Sequence, residues 1–133
     1  MNAGWFDPGS VTGPIVDYQP NRAIDYPGVW YRTDVAYLAT SGMLMAKSLF
    51  EEIGGFDEAY DPTCFEDTDL SLAIKDAGYR LAYCPYMAIM HLPHQTTQSG
   101  SYAHTKLIKK NGEYFQEKWK RKNEKLLECY LIR

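Results

Sequence analysis

From Asp34 to Ala46 the chain reads Asp-Val-Ala-Tyr-Leu-Ala-Thr-Ser-Gly-Met-Leu-Met-Ala, an almost continuous apolar run. A run of this kind predicts a buried strand, and Gly42 within it marks a place where a bulge or a close ligand approach is tolerated. Ser48-Leu49-Phe50-Glu51 has capping-box spacing and predicts a short helix, which Gly54-Gly55 would end. Asp57 to Phe65 reads as an acidic loop. Leu70, Ile74 and Ala77 then recur at helical spacing and predict a helix from about Asp67 to Ala77, stopped by Gly78. Arg80 to Cys84 and Met87 to His91 read as short strands separated by Pro85, followed by a polar loop to Gly100. From Tyr102 to Leu131 the pattern predicts one or two helices, with Gly112 the expected break. Ahead of all this, Asp7-Pro8-Gly9, Thr12-Gly13-Pro14, Gln19-Pro20-Asn21 and Tyr26-Pro27-Gly28 mark turns, with one short strand near Ile15 to Tyr18. Residues 1–35 therefore read as a loop-rich linking segment and residues 36–133 as the folded part.

Composition narrows the classes. A chain of 133 residues with 45% apolar content can build one core. Its formal charge of −3 leaves no electrostatic footprint for nucleic acid. The basic stretch Lys106 to Lys125 is interleaved with Glu113, Glu117 and Glu124 and reads as a solvated helix face. Cys64, Cys84 and Cys129 are odd in number and lack C-x-x-C spacing, which argues against a disulfide framework or a zinc site and for a reducing compartment. No signal-peptide pattern and no run of about 20 apolar residues is visible, so a cytoplasmic chain, at most peripheral at the inner face of a membrane, is expected. Eleven Tyr, five Phe and three Trp would suit sugar stacking, but they would equally suit a core.

The chemistry lies in the acidic loop and the helix start after it. Asp57, Glu58, Asp61, Glu66, Asp67 and Asp69 fall within thirteen residues. Asp69 reads as a carboxylate at a helix N-terminus, and Asp57 and Asp61 as turn-ordering residues. Glu66-Asp67 stands where loop becomes helix, rigidly held yet able to face a cleft. A carboxylate there can take a proton from an attacking hydroxyl, or simply stabilise the helix; residue chemistry leaves both open. Asp67-Thr68-Asp69 has D-x-D spacing but starts a helix instead of ending an apolar strand, so it is not assigned as a metal motif. EF-hand spacing is absent. His91, ending a strand-like run, is either a hydrogen-bonded structural residue or a ligand; His94 and His104 match nothing specific.

Gly54-Gly55-Phe56-Asp57-Glu58, Phe65-Glu66-Asp67-Thr68-Asp69-Leu70, Ala77-Gly78-Tyr79, Pro85 and His91, in that order, resemble the acceptor-side half of a family 2 glycosyltransferase of the GT-A fold. The resemblance covers roughly residues 36 to 120. It implies an α/β fold: a short mixed β-sheet with two to three packed helices, lacking the N-terminal nucleotide-binding half. It implies transfer of a hexosyl or deoxyhexosyl group from a nucleotide-sugar donor to a hydroxyl of a carbohydrate or lipid-linked acceptor. Asp67 would be the catalytic base of an inverting reaction, and Glu66 would support or contact the acceptor. Thr40-Ser41-Gly42 resembles a small-residue strand end, which would put Ser41 and Gly42 beside the donor sugar; Gly55, Phe56 and Asp57 would shape the sugar and acceptor pocket, and His91 would complete coordination of a Mn²⁺ or Mg²⁺ ion. The triplet fits a close-packed strand bulge equally well. Asn111 to Trp119 resembles a C-terminal packing helix. No strand–helix unit ending in a strand-tip D-x-D precedes these motifs, so the chain is expected to be inactive alone and to self-associate through surface its other half would cover. A non-catalytic carbohydrate-binding module and a retaining transferase are the rival readings.

Overall fold

The structure, a computed structural model, describes residues 3–6, 15–18, 35, 37–83 and 102–131, with side-chain surroundings for 35, 37–83 and 103–128. In chain order the elements are β1 (Ala3–Phe6), β2 (Ile15–Tyr18), β3 (Tyr37–Leu38), α1 (Lys47–Glu52), a 3₁₀ turn (Glu58–Tyr60), α2 (Glu66–Asp76) and α3 (Tyr102–Leu131). The sheet runs β2-β1-β3. β1 is antiparallel to both neighbours, with Ala3 opposite Tyr18 and Leu38, and Gly4 opposite Asp17 and Tyr37. β2 lies where the sequence predicts a strand; β1 is too short for periodicity to reveal. A mixed sheet needs a parallel pair, and the described pairings are all antiparallel.

The apolar run before α1 is less regular than expected. Its strand contracts to Tyr37–Leu38 because the chain then turns: the Met43 N–H donates to the Thr40 carbonyl at 3.0 Å, with Gly42 at φ +84°. That left-handed position suits glycine. Beyond the turn Met43 and Met45 pack inward while Leu44 is 83% exposed, so this stretch is not buried on both faces. α1 starts at Lys47 with Ala46 as its cap and no capping side chain, which places Ser48 inside the helix instead of at its start. The two glycines end it as predicted. Gly55 stands at φ +71° and donates its N–H to the Phe50 carbonyl, and a Cβ there would lie 3.1 Å from the Phe50 ring.

α2 is the centre of the packing. Residues 68 to 74 are all buried, so the helix is covered on several sides and not along one stripe. Leu72 and Ala73 join Tyr60, Phe65, Phe115, Trp119 and Leu127 in one cluster; Leu70 and Ile74 join Val35 and Leu81 in a second. Burying a leucine such as Leu70 or Leu72 stabilises the fold by roughly 1.5–3 kcal/mol relative to exposure. Ala77, expected on the inner face, is the exposed C-cap. No strand forms over 80–82, where Tyr83 makes an isolated bridge; the strand expected from Met87 to His91 lies outside the described residues.

α3 does not break at Gly112, which is buried in continuous helix. The break falls at Asn123 (φ −158°, ψ 82°). Asn123 Oδ1 accepts the Leu126 N–H at 3.1 Å, and its Nδ2 donates to Asp76 Oδ1 at 2.6 Å. Asparagine at that position caps the helical segment that follows, three residues before the N–H it satisfies. Among the described residues no helix is long and apolar enough to cross a membrane.

Candidate functional site

The site grows from the start of α2. Cys64 and Phe65, immediately before the helix, have φ of +80° and +76°. Two L-residues in the left-handed region cost about 1–2 kcal/mol each. α3 holds them there. The Asn111 amide donates to the carbonyls of Tyr60 (3.0 Å), Thr63 (2.8 Å) and Cys64 (3.1 Å), while the Phe65 ring lies 5.5 Å from that of Phe115. Of the first residues of α2, Glu66 and Asp67 are half-buried, and Thr68 and Asp69 are buried.

Glu66 and Asp67 then point to different places, because adjacent helical residues lie about 100° apart. Glu66 lines a cavity of about 550 Å³ together with Phe56, Asp57, Glu58, Tyr60, Asp61, Pro62 and Thr63. That volume is in the range of small-molecule sites, about 300–1,000 Å³. None of these lining residues is basic. Phe56 presents an exposed ring at the cavity, packed edge-on against Phe50 at 5.6 Å. The Thr63 hydroxyl donates to Glu66 Oε1 at 3.2 Å.

Burial pushes the Glu66 carboxyl above its ordinary value of 4.5; the neighbouring Asp67 charge adds to this, and bonds from backbone N–H groups and Thr63 only partly offset it. A raised carboxyl disfavours the folded state once ionised. Its contribution is therefore favourable below the unfolded value and is lost as pH rises through the folded one. We expect Glu66→Gln to raise the melting temperature of the chain at pH 7, with the gain vanishing below pH 4.5, which paired thermal melts at the two pH values would check.

Asp67 is not among the residues that line the cavity and is bonded instead to the turn after β3. The Thr40 hydroxyl donates to its Oδ1 at 2.6 Å. This is one rung of a polar seam along α2. Ser71 accepts the Leu38 N–H at 3.1 Å and donates back to the Leu38 carbonyl at 3.3 Å, and Lys75 Nζ donates to the Val35 carbonyl at 2.9 Å. Residues 67, 71 and 75 repeat every four positions and so share one helix face. The seam seats the turn carrying Ser41 and Gly42, both exposed, beside Asp67.

The cavity loop is tied down from the other side by α3. Lys118 Nζ lies 2.8 Å from Asp57 Oδ2 and 2.7 Å from Asp69 Oδ2. Asp57 also accepts from the Tyr114 hydroxyl at 2.9 Å and from the Ala59 N–H at 2.9 Å. Asp69 Oδ1 accepts from the Trp119 indole at 2.7 Å and the Tyr60 hydroxyl at 3.1 Å. Asp69 stands in the first turn of α2, as its position predicts, and is in addition a buried hub. Asp57 caps the 3₁₀ turn through Ala59, and its carboxylate is already occupied where it borders the cavity. Lys118 is the exception on a helix whose other lysines and Arg121 are exposed. Sequence spacing offered no sign of it, because its partners lie 49 and 61 positions away.

The residues expected to act together therefore fall into two groups joined by α2. Phe56, Asp57 and Glu66 share the cavity, with Gly55 setting the entry of its loop; Ser41 and Gly42 lie with Asp67 at the seam. His91 is outside the described residues. Among the described residues no three His, Cys, Asp or Glu side chains gather closely enough to hold a metal ion.

Two comparisons bear on this arrangement. The model of the family described as "Glycosyltransferase like family 2" matches residues 17–112. The rhamnosyltransferase WbbL of Escherichia coli (strain K12) is 38% identical over 71 residues, which is 53% of this chain and 26% of that protein. No solved structure matches. The match to the family model takes in both the cavity loop and the start of α2 with its two carboxylates, and the chain belongs to the family 2-like glycosyltransferases.

Proposed function

We propose that this chain is the acceptor-side part of an inverting sugar transferase, with Asp67 as general base. The observation that carries the reading is the divergence of two carboxylates at one helix start, Glu66 into a cavity and Asp67 toward the turn of Ser41 and Gly42. An acceptor seated in the cavity and a donor sugar against the small-residue turn would meet at the head of α2. The acceptor hydroxyl attacks the anomeric carbon as its proton passes to Asp67, and the bond from that carbon to the diphosphate breaks on the opposite face. The electron pair leaves with the nucleoside diphosphate, and the anomeric configuration inverts. A carboxylate base of this kind contributes about 10²–10⁴ in rate.

The donor half is proposed to lie outside this chain, which then does not turn over alone. Mn²⁺ or Mg²⁺ on the diphosphate, with His91 as this chain's ligand, belongs to the same proposal. The similar E. coli protein makes rhamnosyl transfer the first activity to test. The experiment supplies the complete enzyme with nucleotide-activated rhamnose and other nucleotide sugars, and reads the anomeric configuration of the product by NMR. An inverted product is expected; a retained configuration would reassign the mechanism. Calorimetry on the isolated chain serves the rival reading. A carbohydrate-binding module would bind sugar without nucleotide or metal, and Asp67→Asn would leave that binding unchanged.

A further inference from the structure

The 2.6 Å bond from Thr40 to Asp67 joins two segments 27 residues apart, and its geometry is over-determined. Thr40 opens the turn closed by the Met43 N–H on its own carbonyl, with Gly42 at φ +84°. Two residues earlier, Leu38 is clasped to α2 by both bonds of Ser71. The Thr40 hydroxyl thus arrives at Asp67 on a backbone fixed at both ends. The length lies in the range of O–H···O⁻ bonds, about 2.5–2.7 Å, which are roughly twice as strong as neutral ones. Among the described residues the other oxygen, Oδ2, has no hydrogen-bond partner.

A carboxylate in the first turn of a helix has a competing use: it can fold back onto the free N–H groups of that turn. A donor held at Oδ1 prevents this. We infer that Thr40 is a positioning residue for the transfer reaction, holding Asp67 by Oδ1 so that Oδ2 is the oxygen presented to the acceptor hydroxyl. The inference rests on the reading of Asp67 as base. It also gives Thr40 a role distinct from that of Ser41 and Gly42. Those two present small groups to the donor side, while Thr40 acts through the carboxylate alone.

The test is a set of variants in the complete enzyme: Thr40→Val, which keeps the shape and removes the donor, Thr40→Ser, which keeps the donor, Asp67→Asn, and Thr40→Val with Asp67→Asn. Steady-state rates are measured at high enzyme concentration, with a thermal melt of each variant. Thr40→Val is expected to lower kcat by roughly tenfold, the scale of a hydrogen bond to a charged group, with acceptor KM little changed. Thr40→Ser should recover most of the loss. In the Asp67→Asn background Thr40→Val should have no further effect, because there is no longer a base to orient. An equal loss in both backgrounds, or a Thr40→Ser variant as slow as Thr40→Val, would overturn the positioning role and leave Asp67 as base. An active Asp67→Asn enzyme would overturn both.

Discussion

Asp67→Asn is expected to lower the transfer rate of the complete enzyme by about 10²–10⁴-fold, with the melting temperature of the chain little changed. The substitution is nearly isosteric and keeps an oxygen for the Thr40 hydroxyl, which donates at 2.6 Å. What it removes is the capacity to take a proton. Glu66→Gln is the necessary companion. Glu66 lines the cavity and its carboxyl is raised by burial, two properties that a general base also needs. If it contacts the acceptor without taking its proton, Glu66→Gln should mainly raise acceptor KM. A larger kcat loss in Glu66→Gln than in Asp67→Asn would move the base to the cavity wall, and with it the position of the reacting hydroxyl.

Lys118→Met should be strongly destabilising. Lys118 stands between two carboxylates, and the Asp69 side chain is 5% exposed. Removing the cation leaves Asp69 buried beside Asp57 with no compensating charge, at a cost of about 3–5 kcal/mol. Urea unfolding of the chain at pH 7 would measure it, and adding Asp57→Asn should recover part of the loss by relieving the repulsion. Retention of wild-type stability would mean that the ion pairs contribute nothing.

The pH dependence of this clasp has a definite sign. Burial alone would raise the Asp57 carboxyl, but the bonds from Lys118, the Ala59 N–H and Tyr114 outweigh it and hold the group below its ordinary 3.8. Its contribution is present above that value and is lost as pH falls through the folded one. Burial would lower Lys118, but bonds to Asp57 and Asp69 outweigh it and hold the ammonium above its ordinary 10.5. That contribution is present below 10.5 and is lost as pH rises through the folded value. Wild-type stability should therefore decline outside this window on both sides, and Lys118→Met should flatten both declines.

The clasp also explains how α3 reaches the site without lining the cavity. Asn111 holds three carbonyls of the loop before α2, and Lys118 with Tyr114 holds the loop that begins at Asp57. Asn111 to Trp119 was expected to pack. Phe115 and Trp119 do, fully buried, and the polar residues on the same helix position the loop.

Short-range features were legible in the sequence because local rules govern them. The helix-ending glycines need left-handed backbone, the residues of β2 and α2 follow spacing and turn signals, and the ordered motifs from Gly54 to Asp69 are a linear pattern that the family match includes. The tertiary structure decided everything that depends on partners far away in the chain. It ended the Asp34 to Ala46 run at a turn, moved the break in α3 from Gly112 to Asn123, and made Asp69 a buried hub. It also sent Glu66 and Asp67 to different surfaces. Adjacent in sequence, the two carboxylates look like one feature. The helical rotation between them, and the segments packed on either side of α2, give each its own surroundings, and a linear pattern carries no record of those.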